Sequence, residues 1–314
     1  MDRGTRRDFL RTTAVAGSAL ALSPAWVLAE EKASELPVEM SIARWQGQAL
    51  PDPEVPSLAA RLTEKAIEAL GGMGRFVSKG DVVWVKPNMA WDRTPEQAGN
   101  TNPDVVTTLI KLCLEAGAKK VKVGDHSCNE AKSAYPKSGI EAAAKAAGAE
   151  IVYLDESRYK EMAVGGEILD KQMVYPEIIE TDLVINVPVV KHHHLTEATI
   201  CMKNYMGVVD DGRKKWHQNL PVTITDFTAF MKPRLCVVDA VRILTGHGPT
   251  GGDLADVKRL DTIAAGTDIV ALDAFGAELL GRKADEIGTI VEGQKRGLGQ
   301  MDYRKLRLEE VAIS

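Results

Sequence analysis

The sequence predicts an α/β protein. Its expected architecture is a mostly parallel sheet with helices on both faces, Rossmann-like in layout, with an inserted hairpin and loops. Three observations carry that expectation. Short β-branched runs alternate with stretches of roughly ten to fifteen residues whose apolar positions recur at helical spacing. Glycine and proline punctuate those segments where helices would stop and start. Finally, 314 residues with 45% hydrophobic and 26% charged content suffice for one large core.

Residues 30–56 are dotted with prolines and show no period, so they read as a leading arm ahead of a single α/β domain over 57–314. Leu58, Leu62, Ala66, Ile67 and Leu70 share one helical face, and Gly71-Gly72 ends that helix. Val82-Val83-Trp84-Val85-Lys86 reads as a buried strand stopped by Pro87. Asn102-Pro103 opens a helix, with proline in the first turn, and Gly117 closes it. Val121 to Gly124 is a strand, Ile140 to Ala147 a helix, and Ile151 to Leu154 a strand. Met162 to Val174 reads as a hairpin turning at Gly165-Gly166. Leu183 to Val187 is a strong strand, part of Glu197 to Met206 a helix, and Pro221 to Phe230 another helix. Leu235 to Asp239 and Thr262 to Ala265 are strands. Asp268 to Leu280 is a helix, Asp285 to Lys295 is helical, and the last residues form a strand or an arm.

The first 29 residues read as an address. Paired Arg6-Arg7 followed by Asp8-Phe9-Leu10, a small-residue apolar run from Ala14 to Leu22, and Val27-Leu28-Ala29 resemble a twin-arginine export signal cleaved after Ala29. That run is too short and too rich in alanine, glycine, serine and threonine to span a bilayer, and no later stretch is apolar enough to do so. The expected setting is periplasmic or otherwise exported, with the twin-arginine machinery as a transport partner. Cleavage would remove Arg3, Arg6, Arg7 and Arg11 against Asp2 and Asp8, so the remaining chain would be more acidic than the whole, whose net charge is −5. No nucleic-acid partner is expected of such a chain.

In open α/β sheets ligands gather beyond the carboxyl ends of strands, and those ends are where the polar clusters fall. Lys86-Pro87-Asn88 follows one strand and Gly124-Asp125-His126 another; Lys191-His192-His193-His194 follows Val187-Pro188. Gly246-His247-Gly248-Pro249 follows the strand at Cys236. Cys201 to Gly207 holds Lys203 and Asn204, and the basic run Arg213-Lys214-Lys215 with His217 lies just beyond, as a lid or a solvated loop. A carboxylate–imidazole pair at Asp125-His126 suits acid–base or metal chemistry. Consecutive histidines alternate in direction if extended, so His192 and His194 would share a face. The expected catalytic set is Lys86, Asp125, His126, His192 and His194. Asn88, Lys191, Lys203, Asn204, His217 and His247 would bind substrate. Asp125, His126, His192 and His194 would ligate a divalent metal if one is used. Cys113, Cys128, Cys201 and Cys236 contain no Cys-x-x-Cys, so neither an iron–sulfur cluster nor a zinc ribbon is expected, while a Cys128–Cys201 bridge stays open. No nucleotide-type glycine loop and no serine elbow is present.

Taken together these clusters resemble the family known as domain of unknown function 362. The matching pieces run from Val85-Lys86-Pro87-Asn88 through Thr101 to Val106, Gly117-Ala118 and Val123-Gly124-Asp125. They continue through Asn186-Val187-Pro188, the 191–194 segment, Met202 to Gly207, Val238-Asp239-Ala240, Gly248-Pro249-Thr250 and Ala265 to Asp273. The resemblance implies an α/β fold distantly similar in layout to lactate-racemase-type proteins. Some members carry a fused ferredoxin-like segment, which this chain lacks. Two functional classes follow. One is an exported enzyme acting on a small carboxylate or phosphate through lysine, histidine and aspartate at strand ends. The other is a non-catalytic protein associated with a metal or redox centre.

Overall fold

The computed structural model describes residues 36–314, so the segment read as an export signal lies outside the described residues. The chain runs β1 (Met40–Trp45), α1 (Val55–Ala69), β2 (Val82–Pro87), α2 (Pro103–Glu115), β3 (Lys120–Val123), α3 (Ala131–Lys137), α4 (Ile140–Ala146) and β4 (Glu150–Ile151). A hairpin of β5 (Lys160–Ala163) and β6 (Lys171–Val174) follows, then α5 (Pro176–Ile179), β7 (Leu183–Val187), β8 (Val189–His193), β9 (Glu197–Thr199) and α6 (Cys201–Asn204). The remainder is α7 (Leu220–Met231), β10 (Leu235–Leu244), β11 (Val257–Gly266), α8 (Ile269–Leu279), α9 (Gly288–Lys295) and β12 (Leu308–Ile313).

The main sheet has the order β12-β1-β11-β10-β7-β2-β3-β4. From β10 through β7, β2 and β3 to β4 every pairing is parallel, and β1 pairs parallel with β12. Only β11 runs against its neighbours β10 and β1 on this path. Alternate strand residues supply two cores. Val83 and Val85 of β2 join the core formed with α1, α2 and α4, while Trp84 joins the opposite core with α6 to α9. Both faces of the central strands are thus covered, as a parallel sheet requires. Helix starts are fixed chemically: Asn102 Oδ1 accepts from Asp104 N–H at 2.8 Å at the head of α2, and Asp268 Oδ1 accepts from Ala271 N–H at 2.9 Å at the head of α8.

Near Pro188 the sheet divides. β7 pairs with β2 up to Val187, whereas β8 continues beside β10 and takes β9 on its other side. Beyond Pro87 the end of β2 therefore has no neighbour in that direction, and the space between is where the cleft described below opens.

The structure departs from the sequence expectation in identifiable places. The stretch read as a patternless arm contains β1, whose Met40 to Ala43 are all fully buried. A six-residue strand buried on both faces shows no alternation, and the surrounding prolines hid it. Within Glu197 to Met206 the expected helix is present as α6, limited to four residues, and β9, which was not expected, precedes it. β10 and β11 are each ten residues long and pair antiparallel as far as Leu244 and Val257. β4 is two residues rather than four.

Candidate functional site

The alternation of β2 that turns Trp84 into a core also turns Lys86 the same way, two residues on. Lys86 is fully buried, and its Nζ donates to Asp125 Oδ1 at 2.6 Å and to the Pro87 carbonyl at 2.9 Å. The other oxygen of Asp125, Oδ2, accepts from Met89 N–H at 2.8 Å. The Tyr135 hydroxyl accepts from Asp125 N–H at 2.8 Å and donates to the Asp125 carbonyl at 2.6 Å. Burial lowers the pKa of Lys86 and the Asp125 charge opposes that shift. Gly207 closes over the pair: a Cβ at this position would lie 1.7 Å from Asp125 Oδ1 and 2.8 Å from Lys86 Nζ. The pair is thus the floor of the site.

An amide chain stands on this floor. Asn204 Nδ2 donates to Asn186 Oδ1 at 2.8 Å and to the Lys86 carbonyl at 3.3 Å, and Asn88 Nδ2 donates to Asn204 Oδ1 at 3.1 Å. Lys191, on β8, donates to Asn88 Oδ1 at 3.1 Å and to the Gly99 carbonyl at 2.7 Å, and its Nζ lies 5.8 Å from the centre of the Trp91 ring. Burial without a carboxylate partner pushes its pKa down to about 7.

Above these residues opens a cleft of about 310 Å³. From α6 comes Lys203, whose Nζ has Met206 Sδ as its partner at 3.4 Å and whose pKa burial lowers to about 8. Arg213 Nη1 donates to the carbonyls of Met206 at 2.8 Å and His126 at 3.2 Å, pinning the 3-10 turn Asp211–Gln218 across the cleft. Lys214 pairs with Asp211 at 3.0 Å. The Nδ1 atom of His126 lies 2.9 Å from the Tyr159 hydroxyl, and its Nε2 lies 3.5 Å from Asp211 Oδ1. Burial, then the Arg213 charge, lower the His126 pKa. Lys191, Lys203, Arg213 and Lys214 face two carboxylates, Asp125 and Asp211, on the cleft lining. In an acidic chain this is a local excess of positive charge in a partly desolvated space, which suits an anion.

The structure brings Asn88, Asp125, His126, Lys191, Lys203, Asn204 and His217 together on the cleft, with Lys86 beneath. It does not bring His192, His194 or His247 there. The 191–194 segment is extended over its first three residues, as the histidine argument required, but the face turned to the cleft is that of Lys191 and His193. His192 instead accepts from Gly248 N–H at 3.2 Å, His194 is exposed, and His247 is exposed and pairs with Asp256 at 2.7 Å. The expected metal set of Asp125, His126, His192 and His194 is consequently dispersed. Among the described residues no group of three or more histidine, cysteine or acidic side chains is gathered to hold an ion. Cys128 and Cys201 are unbridged, the first exposed at the cleft and the second buried behind it.

His193, Trp91 and Asp211 were not singled out from sequence. Strand periodicity would have found His193, because Lys191 and His193 are two apart. Nothing local marks Trp91 or Asp211, which arrive from loops folded over the sheet. The requirement for glycine at 207 follows from the approach of Lys86 and Asp125 and is invisible before those are placed.

The family model described as "Domain of unknown function (DUF362)" matches residues 83–278. The thylakoid-associated protein sll1697 of Synechocystis sp. is 30% identical over 253 residues, covering 78% of this chain and 77% of that protein. Among solved structures, the lactate racemase apoprotein from Thermoanaerobacterium thermosaccharolyticum aligns with a TM-score of 0.48 at 12% identity, covering 78% of this chain and 62% of the racemase chain. Lys86, Asp125, Lys191 and Gly207 all fall within the matched residues, and the chain belongs to the family Domain of unknown function (DUF362).

Proposed function

We propose that the cleft binds a small anionic molecule, a carboxylate or a phosphate, and that the chain is an enzyme acting on it. The observation that carries this reading is the excess of lining cations over carboxylates, with Lys203 having no acidic partner among the described residues. Lys191 and Lys203 would hold the anion. His126, oriented by Tyr159 and Asp211, would move a proton at the bound molecule, the reaction class being proton transfer next to a carboxylate. Lys86 and Asp125 would keep the floor in place beneath them.

Two measurements test this. Calorimetric titration with sulfate, inorganic phosphate and succinate should show binding that Lys203→Met weakens. Incubation of small carboxylic acids with the protein in deuterated water should show exchange of the proton next to the carboxylate, lost in His126→Gln. Binding without exchange would leave a non-catalytic ligand carrier. An absence of binding to all three anions would refute the proposal.

We further propose that a twin-arginine signal over residues 1–29 carries the protein out of the cytoplasm, ahead of a single α/β domain that takes in β1. Support comes from the Arg6-Arg7 pair and Val27-Leu28-Ala29. No helix among the described residues is long and apolar enough to cross a membrane. Replacing Arg6 and Arg7 by lysine should leave the unprocessed chain in the cytoplasm; unchanged export on cell fractionation would rule the route out.

A further inference from the structure

We propose that His193 is a permanent hydrogen-bond donor and that, with Lys191 and Lys203, it forms the seat for the ligand's oxyanion. This rests on the anion-binding reading of the cleft and goes further by naming the atoms and the ionisation state they select. His193 Nδ1 accepts from two backbone amides of the turn after β8, Leu195 N–H at 3.0 Å and Thr196 N–H at 3.3 Å. A ring nitrogen accepting two N–H groups carries no proton of its own, so the proton of the neutral ring sits on Nε2. Protonating Nδ1 would set a third N–H against the two amides and break both bonds.

The surroundings act in the same direction. The ring is buried, and burial is the foremost cause holding its pKa well below the ordinary histidine value. The charged and titratable groups around it are Lys203 from α6, Lys191 on the same face of its own strand, His217 from the 211–218 turn and, on the opposite face of β8, His192; each disfavours a positive charge on the ring. His126 is different, since it faces Asp211 and can gain a proton beside a carboxylate. His126 and His193 on the cleft thus divide the work: His126 can exchange a proton, and His193 keeps one.

Lys191 and His193 are two residues apart on β8 and share the face turned to the cleft, while Lys203 comes from α6. When both lysines are charged the three groups are donors only. A ligand oxygen that kept its proton would find no acceptor among them, so the seat takes the unprotonated oxygens of a carboxylate, sulfate or phosphate group.

The test uses the full chain labelled with ¹⁵N-histidine. Nitrogen–proton correlation spectra should show His193 as the Nε2-protonated tautomer without titration from about pH 5 to 8, and saturating sulfate should shift its Nε2. His193→Phe should weaken sulfate binding by roughly tenfold to a hundredfold, and His193→Gln, whose side-chain amide can donate, should restore much of it. If His193→Phe fails to fold, the wild-type spectra still decide. A ring that titrates in that interval overturns the proposal, as does sulfate binding that leaves Nε2 unshifted while Lys203→Met still loses it. Failure of sulfate, phosphate and succinate to bind the wild-type chain would refute the anion-site reading itself and the seat with it.

Discussion

At Gly207 the backbone passes so close to the Lys86–Asp125 pair that any side chain must displace it. Gly207→Ala should therefore cost about 1–3 kcal/mol in urea unfolding and also impair sulfate binding, because what shifts is the floor of the cleft. The pair itself gives a sharper comparison. Lys86→Met leaves a buried carboxylate uncompensated and should cost about 3–5 kcal/mol, whereas adding Asp125→Asn to it should recover part of that loss. Equal unfolding midpoints for the single and double variants would show that Asp125 finds another partner. The lysines of the cleft set a pH dependence whose sign is fixed. Burial brings Lys191 down to about 7 and Lys203 to about 8. On the proposed reading each would bind an anion only while protonated, so sulfate affinity should be full below these values and decline as pH rises through them, with bound sulfate delaying the decline. Calorimetry should show affinity at about pH 9 at least tenfold below that at about pH 6; a flat profile would show that neither lysine touches the anion. At this scale much of the site could be read directly: Lys86, Asn88, Asp125, His126, Lys191, Lys203 and Asn204 follow strand ends or begin the helix beyond them. The errors were directional. Alternation correctly pairs His192 with His194 but does not say which face of β8 looks inward, since that is decided by its pairing with β10 and β9, which lie far off in sequence or beyond a turn.

Among elements, the junctions matter more than the strands. Thr101 joins three of them: its Oγ1 accepts from Asn88 N–H at 2.8 Å and donates to the Val187 carbonyl at 2.6 Å, just ahead of α2. That hydroxyl ties the end of β2 to the end of β7 where the sheet parts. Thr101→Val keeps the shape and removes both bonds, so it should cost about 1–3 kcal/mol in unfolding free energy. It should also loosen the Asn88–Lys191 contact, detectable as weaker sulfate binding. Were stability and binding both unchanged, the junction would not depend on that hydroxyl. Helices with a clear start and stop were legible, including α1, α2, α7 and α8, because proline, asparagine, aspartate and glycine act locally. Elements without such signals were not. β1 is held by β11 and β12, which are hundreds of residues away in sequence, and its own residues carry no period. The basic turn Asp211–Gln218 could be named as a lid or a loop but not chosen between, since Arg213 reaches carbonyls of distant segments.

On the scale of the whole molecule, the net charge of −5 conceals a small region of opposite sign. A net negative charge repels anions at a distance, and on the proposed reading the cleft would attract them only within roughly a Debye length, about 8 Å at physiological salt. Added sodium chloride should therefore weaken sulfate binding by screening the cleft and by competition. A salt-independent affinity would point to neutral donors as the main hold. The parallel layout was legible as a whole because strand–helix alternation dictates it, whereas the division near Pro188 was not, since one proline does not say which neighbour each half of a strand will keep. That division has a mechanical consequence. The two tongues of the fork, the end of β2 and β8, are joined near its mouth by Lys191, whose ammonium reaches Asn88 and Gly99. A guest lodged there would work as a clasp between strands that share no backbone ladder. Its presence should be recorded as slower amide hydrogen exchange along Val189 to His193.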